Sequence, residues 1–287
     1  MKEFISYWQH IPEYINPIAL KIGPVQVHYY GLRYLVAFVT VYLLILGRIK
    51  NESIKFSKEV IDNYFLWVII ALLIGGRIGY VLFYNLFYYL KNPLEIILPF
   101  DINDGFRYVG LYGMSYHGAL IGIIAASVIF CRRFKLNFWL LGDLLVSAVP
   151  LGYTFGRLGN LINGELYGRV TRVPWGMYFP LDSTHRLRHP SQLYEALFEG
   201  IFLFIILWSL RKRARIPGLL FSLYLIGYGI VRFFLEFFRQ PDAQLGFILG
   251  PFSMGQVLCF TMILSGIIIF MIRISKTKKR ISITESQ

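Results

Sequence analysis

Seven stretches of this chain, each close to twenty residues, are dominated by apolar side chains and nearly free of charge. No other feature limits the fold as much. A helix rises about 1.5 Å per residue, so about 20 apolar residues cross the roughly 30 Å hydrocarbon layer of a bilayer. The stretches run near 28–47, 64–88, 114–131, 138–158, 192–210, 218–237 and 251–272. Backbone amides in lipid must be satisfied within the segment, which predicts helices. Only 16% of the 287 residues are charged and 56% are apolar, against about 25% charged in a soluble domain. The expectation is an all-α integral membrane protein of seven transmembrane helices, with one membrane-embedded domain spanning 1–287.

Lys and Arg set the orientation. The segments 48–62, 132–137, 211–217 and the tail from 273 hold 16 of them, and the alternate segments 1–27, 89–113, 159–191 and 238–250 hold nine. The richer segments are also the shorter, so by the positive-inside rule the C-terminus is cytoplasmic. Seven spans then put the N-terminus outside, an N-out/C-in arrangement. The stretch 159–191 is expected to form a small periplasmic head. Pro12, Pro17, Trp8, Glu13 and Asn16 break any apolar run in the first 25 residues. That part reads as a flat arm on the membrane surface, not as a cleaved signal peptide. The net charge of +13 comes from short clusters between spans, not from one basic face, so no nucleic-acid partner is expected. Cys131 and Cys259 lie in apolar segments and read as inert packing residues.

Four arginines fall inside the proposed spans: Arg33, Arg77, Arg157 and Arg232. Each costs roughly 2.5–3.5 kcal/mol at mid-membrane unless partnered. Arg33 is near the outer end of its span and can snorkel. Arg77 sits among Gly75, Gly76 and Gly79, and either a pairing with Asp143 or a binding role fits it. Tyr228, Arg232, Glu236 and Arg239 recur at helical spacing, which predicts one face of one helix. The run Gly156-Arg157-Leu158-Gly159-Asn160-Leu161-Ile162-Asn163-Gly164-Glu165 reads as a broken helix lining a polar cavity, suited to a phosphate. His117, at the outer end of the third span, is either a satisfied core residue or a catalyst. The element His189-Pro190-Ser191-Gln192-Leu193-Tyr194-Glu195 reads as architectural, with Pro190 fixing a helix start.

In this order the motifs resemble the bacterial phosphatidylglycerol–prolipoprotein diacylglyceryl transferases. The likeness runs from His28-Tyr29-Tyr30-Gly31 through Ser253-Met254-Gly255-Gln256. Its most specific part is Gly156 to Arg169, joined by the His117-Gly118-Ala119-Leu120-Ile121-Gly122, His-Pro-Ser-Gln and Glu236-Phe237-Phe238-Arg239-Gln240-Pro241-Asp242 elements. The outer loop around Asp182-Ser183-Thr184-His185 looks shorter than in some relatives.

The resemblance implies an enzyme of the bacterial inner membrane, a seven-helix bundle opening sideways to lipid. It implies transfer of diacylglyceryl from phosphatidylglycerol to the lipobox cysteine thiol of prolipoproteins, with release of glycerol phosphate. The residues it implicates are Tyr30, His117, Arg157, Asn160, Glu165, Gly168, Tyr228, Arg232 and Glu236. A thiol attacks carbon as thiolate, so either a base such as His117 takes its proton or an arginine-assisted thiolate forms without it; His117 and Tyr30 are both expected among the catalytic residues. Arg157 and Arg232 are expected to meet the charge that grows on the leaving phosphate. Arg157, Asn160, Glu165, Gly168, Tyr228 and Glu236 are expected to bind substrate. No metal-ligand spacing is present, and such alkyl transfer calls for no redox cofactor. The rival is a polytopic transporter with a polar outer-half cavity, but the polar residues gather at the outer half and the two halves show no repeat. An intramembrane hydrolase fares worse, since no Ser-His or paired-Asp arrangement stands out.

Overall fold

The structure, a computed structural model, describes residues 2–16, 18–22, 25–52, 54–96, 100–101, 107–108, 113–240, 247–249 and 252–285. The helices are α1 (Lys2–Tyr14), α2 (Tyr29–Asn51), α3 (Lys58–Tyr84), α4 (Leu86–Lys91), α5 (Tyr116–Arg133), α6 (Phe138–Val146), α7 (Val149–Ile162), α8 (Ser191–Glu195), α9 (Leu203–Leu210), α10 (Leu219–Leu235) and α11 (Met254–Glu285). A π-helical segment, Ala196–Phe202, joins α8 to α9. The described residues add three small antiparallel hairpins: β1 (Ile18–Ile22) with β2 (Val25–His28), β3 (Phe100–Asp101) with β4 (Arg107–Tyr108), and β5 (Phe247–Leu249) with β6 (Phe252–Ser253). The first precedes the first long apolar helix and the other two lie between such helices; β6 and the last residue of β2 fall at the ends of stretches expected to be spans, 251–272 and 28–47.

Five stretches are long and apolar enough to cross a bilayer: Gly31–Asn51, Lys58–Tyr84, Tyr116–Arg133, Ser191–Leu210 and Met254–Thr277. The pair α6 and α7, bent by 47°, makes a sixth if counted as one span. The chain is therefore a helical, multi-pass membrane protein. The expected span at 218–237 is a helix of 17 residues, or roughly 25 Å at 1.5 Å per residue. Gly218, in the left-handed region at φ 94°, starts it, and the chain leaves the helix at Glu236. Exposed residues such as Leu66, Phe83, Ile121 and Phe260 suit contact with acyl chains.

Two compact units emerge, one of residues 53–138 and one of 1–52 with 139–287. In the smaller unit α3 packs on α5 through glycines. A methyl on Gly75 would lie 2.6 Å from the Gly118 carbonyl, and one on Gly122 2.6 Å from that of Ala71. Small residues let membrane helices approach closely, and Tyr64 Oη adds a 2.9 Å hydrogen bond with Ser127 Oγ. Ser57 and Ser115 cap the two helices, accepting from Val60 and Gly118 amides. Arg77 donates to the carbonyls of Ile96 at 2.9 Å and Glu95 at 2.5 Å.

In the larger unit α2 packs on α7, α7 on the π-helical segment, and α10 on α11. Val146, Leu203, Leu207 and Leu220 form a buried core. Asp143 accepts from the amides of Gly218 and Phe221, each at 2.7 Å, and so caps α10. Arg77 and Asp143 thus each have partners in their own unit. The helix interruption expected within 156–165 lies instead at Ser147–Ala148, just before Pro150, which opens α7. From Val149 the helix stays regular to Ile162 and ends at Gly164, φ 67°, the left-handed stop glycine favours.

Candidate functional site

The site grows from α7. Helical spacing puts Tyr153, Arg157 and Asn160 on successive turns of one face. Arg157 Nε lies 2.6 Å from Tyr153 Oη and 2.7 Å from Glu195 Oε2, and its guanidinium stacks 4.7 Å above the Tyr153 ring. Its Nη1 reaches Asn160 Oδ1 at 3.5 Å.

Arg232, on α10, faces the same carboxylate from the other side. Its Nη1 is 3.2 Å from Glu195 Oε1 and 3.4 Å from Glu199 Oε1, and its Nη2 is 3.0 Å from Glu236 Oε2. Glu236 Oε1 accepts from Ser253 Oγ at 3.1 Å. Tyr153 Oη also donates to Glu199, and its ring meets Tyr228 edge-on at 6.0 Å. Arg157, Glu195, Arg232, Glu199 and Tyr153 thereby close a ring of side chains between α7, α8, the π-helical segment and α10.

A second cluster continues from Asn160. Its Nδ2 donates to Glu165 Oε1 at 2.7 Å, and Asn163 Nδ2 and Arg33 Nη1 reach the same oxygen at 3.3 and 3.2 Å. Arg33 was expected to snorkel; instead it is buried, lies across Gly159 and ends at Glu165. A methyl at Gly159 would overlap the Arg33 side chain. Glu236, Arg232, Glu195, Arg157, Asn160, Glu165 and Arg33 therefore form one unbroken polar path.

The stretch expected as a head is irregular over 163–190 and packs around Leu161, Met177 and Phe179. Arg188 grips Asp182 with both arms, Nε to Oδ2 at 2.6 Å and Nη2 to Oδ1 at 2.9 Å. Burial alone would raise the Asp182 carboxyl, but Arg188 and Thr184 hold it well below the usual carboxylate range. Burial pushes the His189 imidazole below its ordinary value. Ser191 Oγ and Gln192 Nε2 donate to the carbonyls of Leu166 and Glu165, so the His-Pro-Ser-Gln element stitches head to helix. Gly168 sits between two backbones: a methyl would lie 2.5 Å from the Phe238 carbonyl and 2.6 Å from that of His189. The expected helix face ending in Arg239 stops short, because α10 ends at Leu235 and Arg239 instead pairs its backbone with Gly168.

Of the expected residues, the larger unit brings together Arg157, Asn160, Glu165, Tyr228, Arg232 and Glu236, with Gly168 in the adjoining head. His117 belongs to the smaller unit, exposed in the first turn of α5. Tyr30 is the second residue of α2, and its side chain is outside the described residues. Glu199, Glu195, Tyr153 and Arg33 were not on the expected list. Two carboxylates four apart in an apolar stretch are a signal the sequence does carry, since ionisable groups inside membranes are rare and functional.

A helical, multi-pass chain whose arginines and glutamates form a continuous polar path defines an integral membrane protein with a charged site among its helices. The chain belongs to the prolipoprotein diacylglyceryl transferase family, whose sequence profile matches residues 17–272. It is 54% identical over 268 residues, 93% of each chain, to the phosphatidylglycerol–prolipoprotein diacylglyceryl transferase of Chlorobaculum tepidum. It is 44% identical over 281 residues to the protein of that name from Desulfotalea psychrophila, covering 96% of this chain and 98% of that one. For the protein of that name from Campylobacter jejuni subsp. jejuni the identity is 43% over 268 residues, covering 93% and 96%.

Proposed function

We propose that this chain transfers the diacylglyceryl group of phosphatidylglycerol to the lipobox cysteine thiol of prolipoproteins in the bacterial inner membrane. The C–O bond between glyceryl carbon and phosphate breaks, a C–S thioether forms, the thiol proton goes to a base and glycerol phosphate leaves. The reading rests on one observation above all: two largely shielded arginines share one buried carboxylate among the helices of a chain belonging to this family. Family membership favours it over the transporter alternative.

In this reading the chain acts as one transferase domain with seven spans, N-out and C-in, and 159–191 as periplasmic head. Arg157 and Arg232 meet the phosphate, whose charge grows as the ester bond breaks; fixed cations gain more from the product-like charge, which lowers the barrier. Asn160, Glu165, Tyr228, Glu236 and Gly168 shape the binding site, His117 takes the thiol proton, and Tyr30 assists. Purified protein incubated with phosphatidylglycerol and a lipobox peptide should add a diacylglyceryl mass to the peptide. The same peptide with Cys replaced by Ser should stay unmodified; no mass gain on either peptide overturns the reading.

A further inference from the structure

The cluster contains more negative charge than its arginines need. Arg157 and Arg232 face three carboxylates, Glu195, Glu199 and Glu236. Burying an extra carboxylate in an apolar layer is unfavourable, so stabilisation is a poor account of all three. Arg232 already has Glu236 one turn along its own helix and Glu199 beside it, while Arg157 already has Tyr153 and Asn160. Glu195 differs from the others in that it touches both arginines, one with each oxygen.

The two oxygens of a carboxylate are only about 2.2 Å apart, so guanidinium groups bonded one to each are held side by side. Depth matters too. The Glu195 side chain is 2% exposed, whereas those of Arg157 and Arg232 are 15% and 11% exposed. An arriving anion meets the guanidiniums before it meets the glutamate.

The local backbone fits this placement. Glu195 is the last residue of α8, and the wide π-helical turn follows at once with Glu199 inside it. Gly200 lets α7 come close, since a methyl there would overlap Thr154 Oγ1, and that hydroxyl donates to the Ala196 carbonyl at 3.4 Å. Isolated π-helical turns in helices often mark functional sites.

We infer that Glu195 is a positioning residue: its carboxylate sets the spacing of Arg157 and Arg232 so that they hold one phosphate together. The inference rests on the transferase reading above and adds a residue to it. Glu195→Gln keeps the volume but removes the charge, leaving one acceptor oxygen for two cations. Glu195→Asp keeps the charge but is a methylene too short to reach both arginines.

The test uses full-length protein in lipid nanodiscs, with phosphatidylglycerol and a lipobox peptide, and reads kcat per folded molecule alongside the thermal midpoint. Glu195→Gln should lose roughly 10- to 100-fold in kcat, as displaced catalytic groups do. Added to Arg157→Lys it should cost nothing more, because it acts through that arginine. Glu195→Asp should keep the midpoint near wild type and still lose at least about tenfold, and it makes the same comparison if the Gln variant does not fold. Unchanged kcat in Glu195→Asp, or in a Glu195→Gln protein that only melts earlier, overturns the inference, as do additive losses in the double variant. If wild type itself transfers nothing to the peptide, the transferase reading fails and takes this inference with it.

Discussion

Arg33 Nη1 lies 3.2 Å from Glu165 Oε1, although 132 residues separate them. The guanidinium gets there by lying over Gly159, where a side chain would block it. The contact ties α2 to the turn that ends α7, and so to the residues expected to hold substrate. Replacing Arg33 by Met should cost about 1–2 kcal/mol, less than the 3–5 kcal/mol of a fully buried pair because Glu165 is partly solvated. Gly159→Ala should destabilise more, since it displaces the same arginine. Thermal melts of both variants check the order; a Gly159→Ala protein more stable than Arg33→Met refutes it.

Arg157→Lys keeps the charge and loses the planar fork, so kcat should fall by roughly 10²-fold or more in a folded protein. Arg232→Ala should show a different defect. It leaves Glu195, Glu199 and Glu236 facing one another without their shared cation, and should unfold the bundle at markedly lower temperature. Rates near wild type for Arg157→Lys and Arg232→Lys together would remove both from the chemistry.

His117→Gln should lower turnover by roughly 10²–10⁴-fold, the usual contribution of a general base, while phosphatidylglycerol binding changes little. Single-turnover rates and a binding isotherm separate the two. Unchanged turnover at saturating substrate takes His117 off the catalytic list.

The head should lose stability in acid. Asp182 titrates below its ordinary value when folded, so the unfolded chain takes up the proton first. The contribution of the Asp182–Arg188 pair is complete above pH ~4, the unfolded carboxyl value, and disappears as pH falls through the folded one. Asp182→Asn should therefore melt well below wild type at pH 7, with the gap closing toward pH 3. A gap independent of pH contradicts this.

A reporter active only in the cytoplasm, fused after Arg280, should be active if the C-terminus is inside. Activity of a periplasm-specific reporter there would invert the topology.

The long apolar stretches were readable because lipid imposes a length and a composition, and α3, α5 and α11 follow from those two facts. What the sequence does not carry is the identity of a partner across the bundle. Arg33 reads as a snorkelling residue until the fold brings Glu165 to it. Tyr228, Arg232 and Glu236 follow helical spacing and do share a face, whereas Arg239, next in that series, falls past the end of α10. The break expected among the glycines of 156–165 occurs at Ser147–Ala148, because Pro150 cannot continue a preceding helix and an internal glycine only weakens one. The partners of Glu199 were hidden for another reason: its direction depends on a π-helical turn, which no hydrophobic period announces.

That turn also makes the chain unusually sensitive to its own length at this point. A π-helical segment is, in effect, an α-helix carrying one surplus residue. A chain lacking Ile201 could close the bulge into regular α-helix and gain better backbone hydrogen bonds. Everything beyond would then rotate by about 100°, and Leu203 and Leu207 would swing away from Val146 and Leu220. Substitutions at its exposed positions, such as Leu197 and Phe202, can be absorbed, but a single-residue deletion trades a better local helix for a misassembled core. Chains of this fold should therefore vary at those positions in residue type while keeping the residue count.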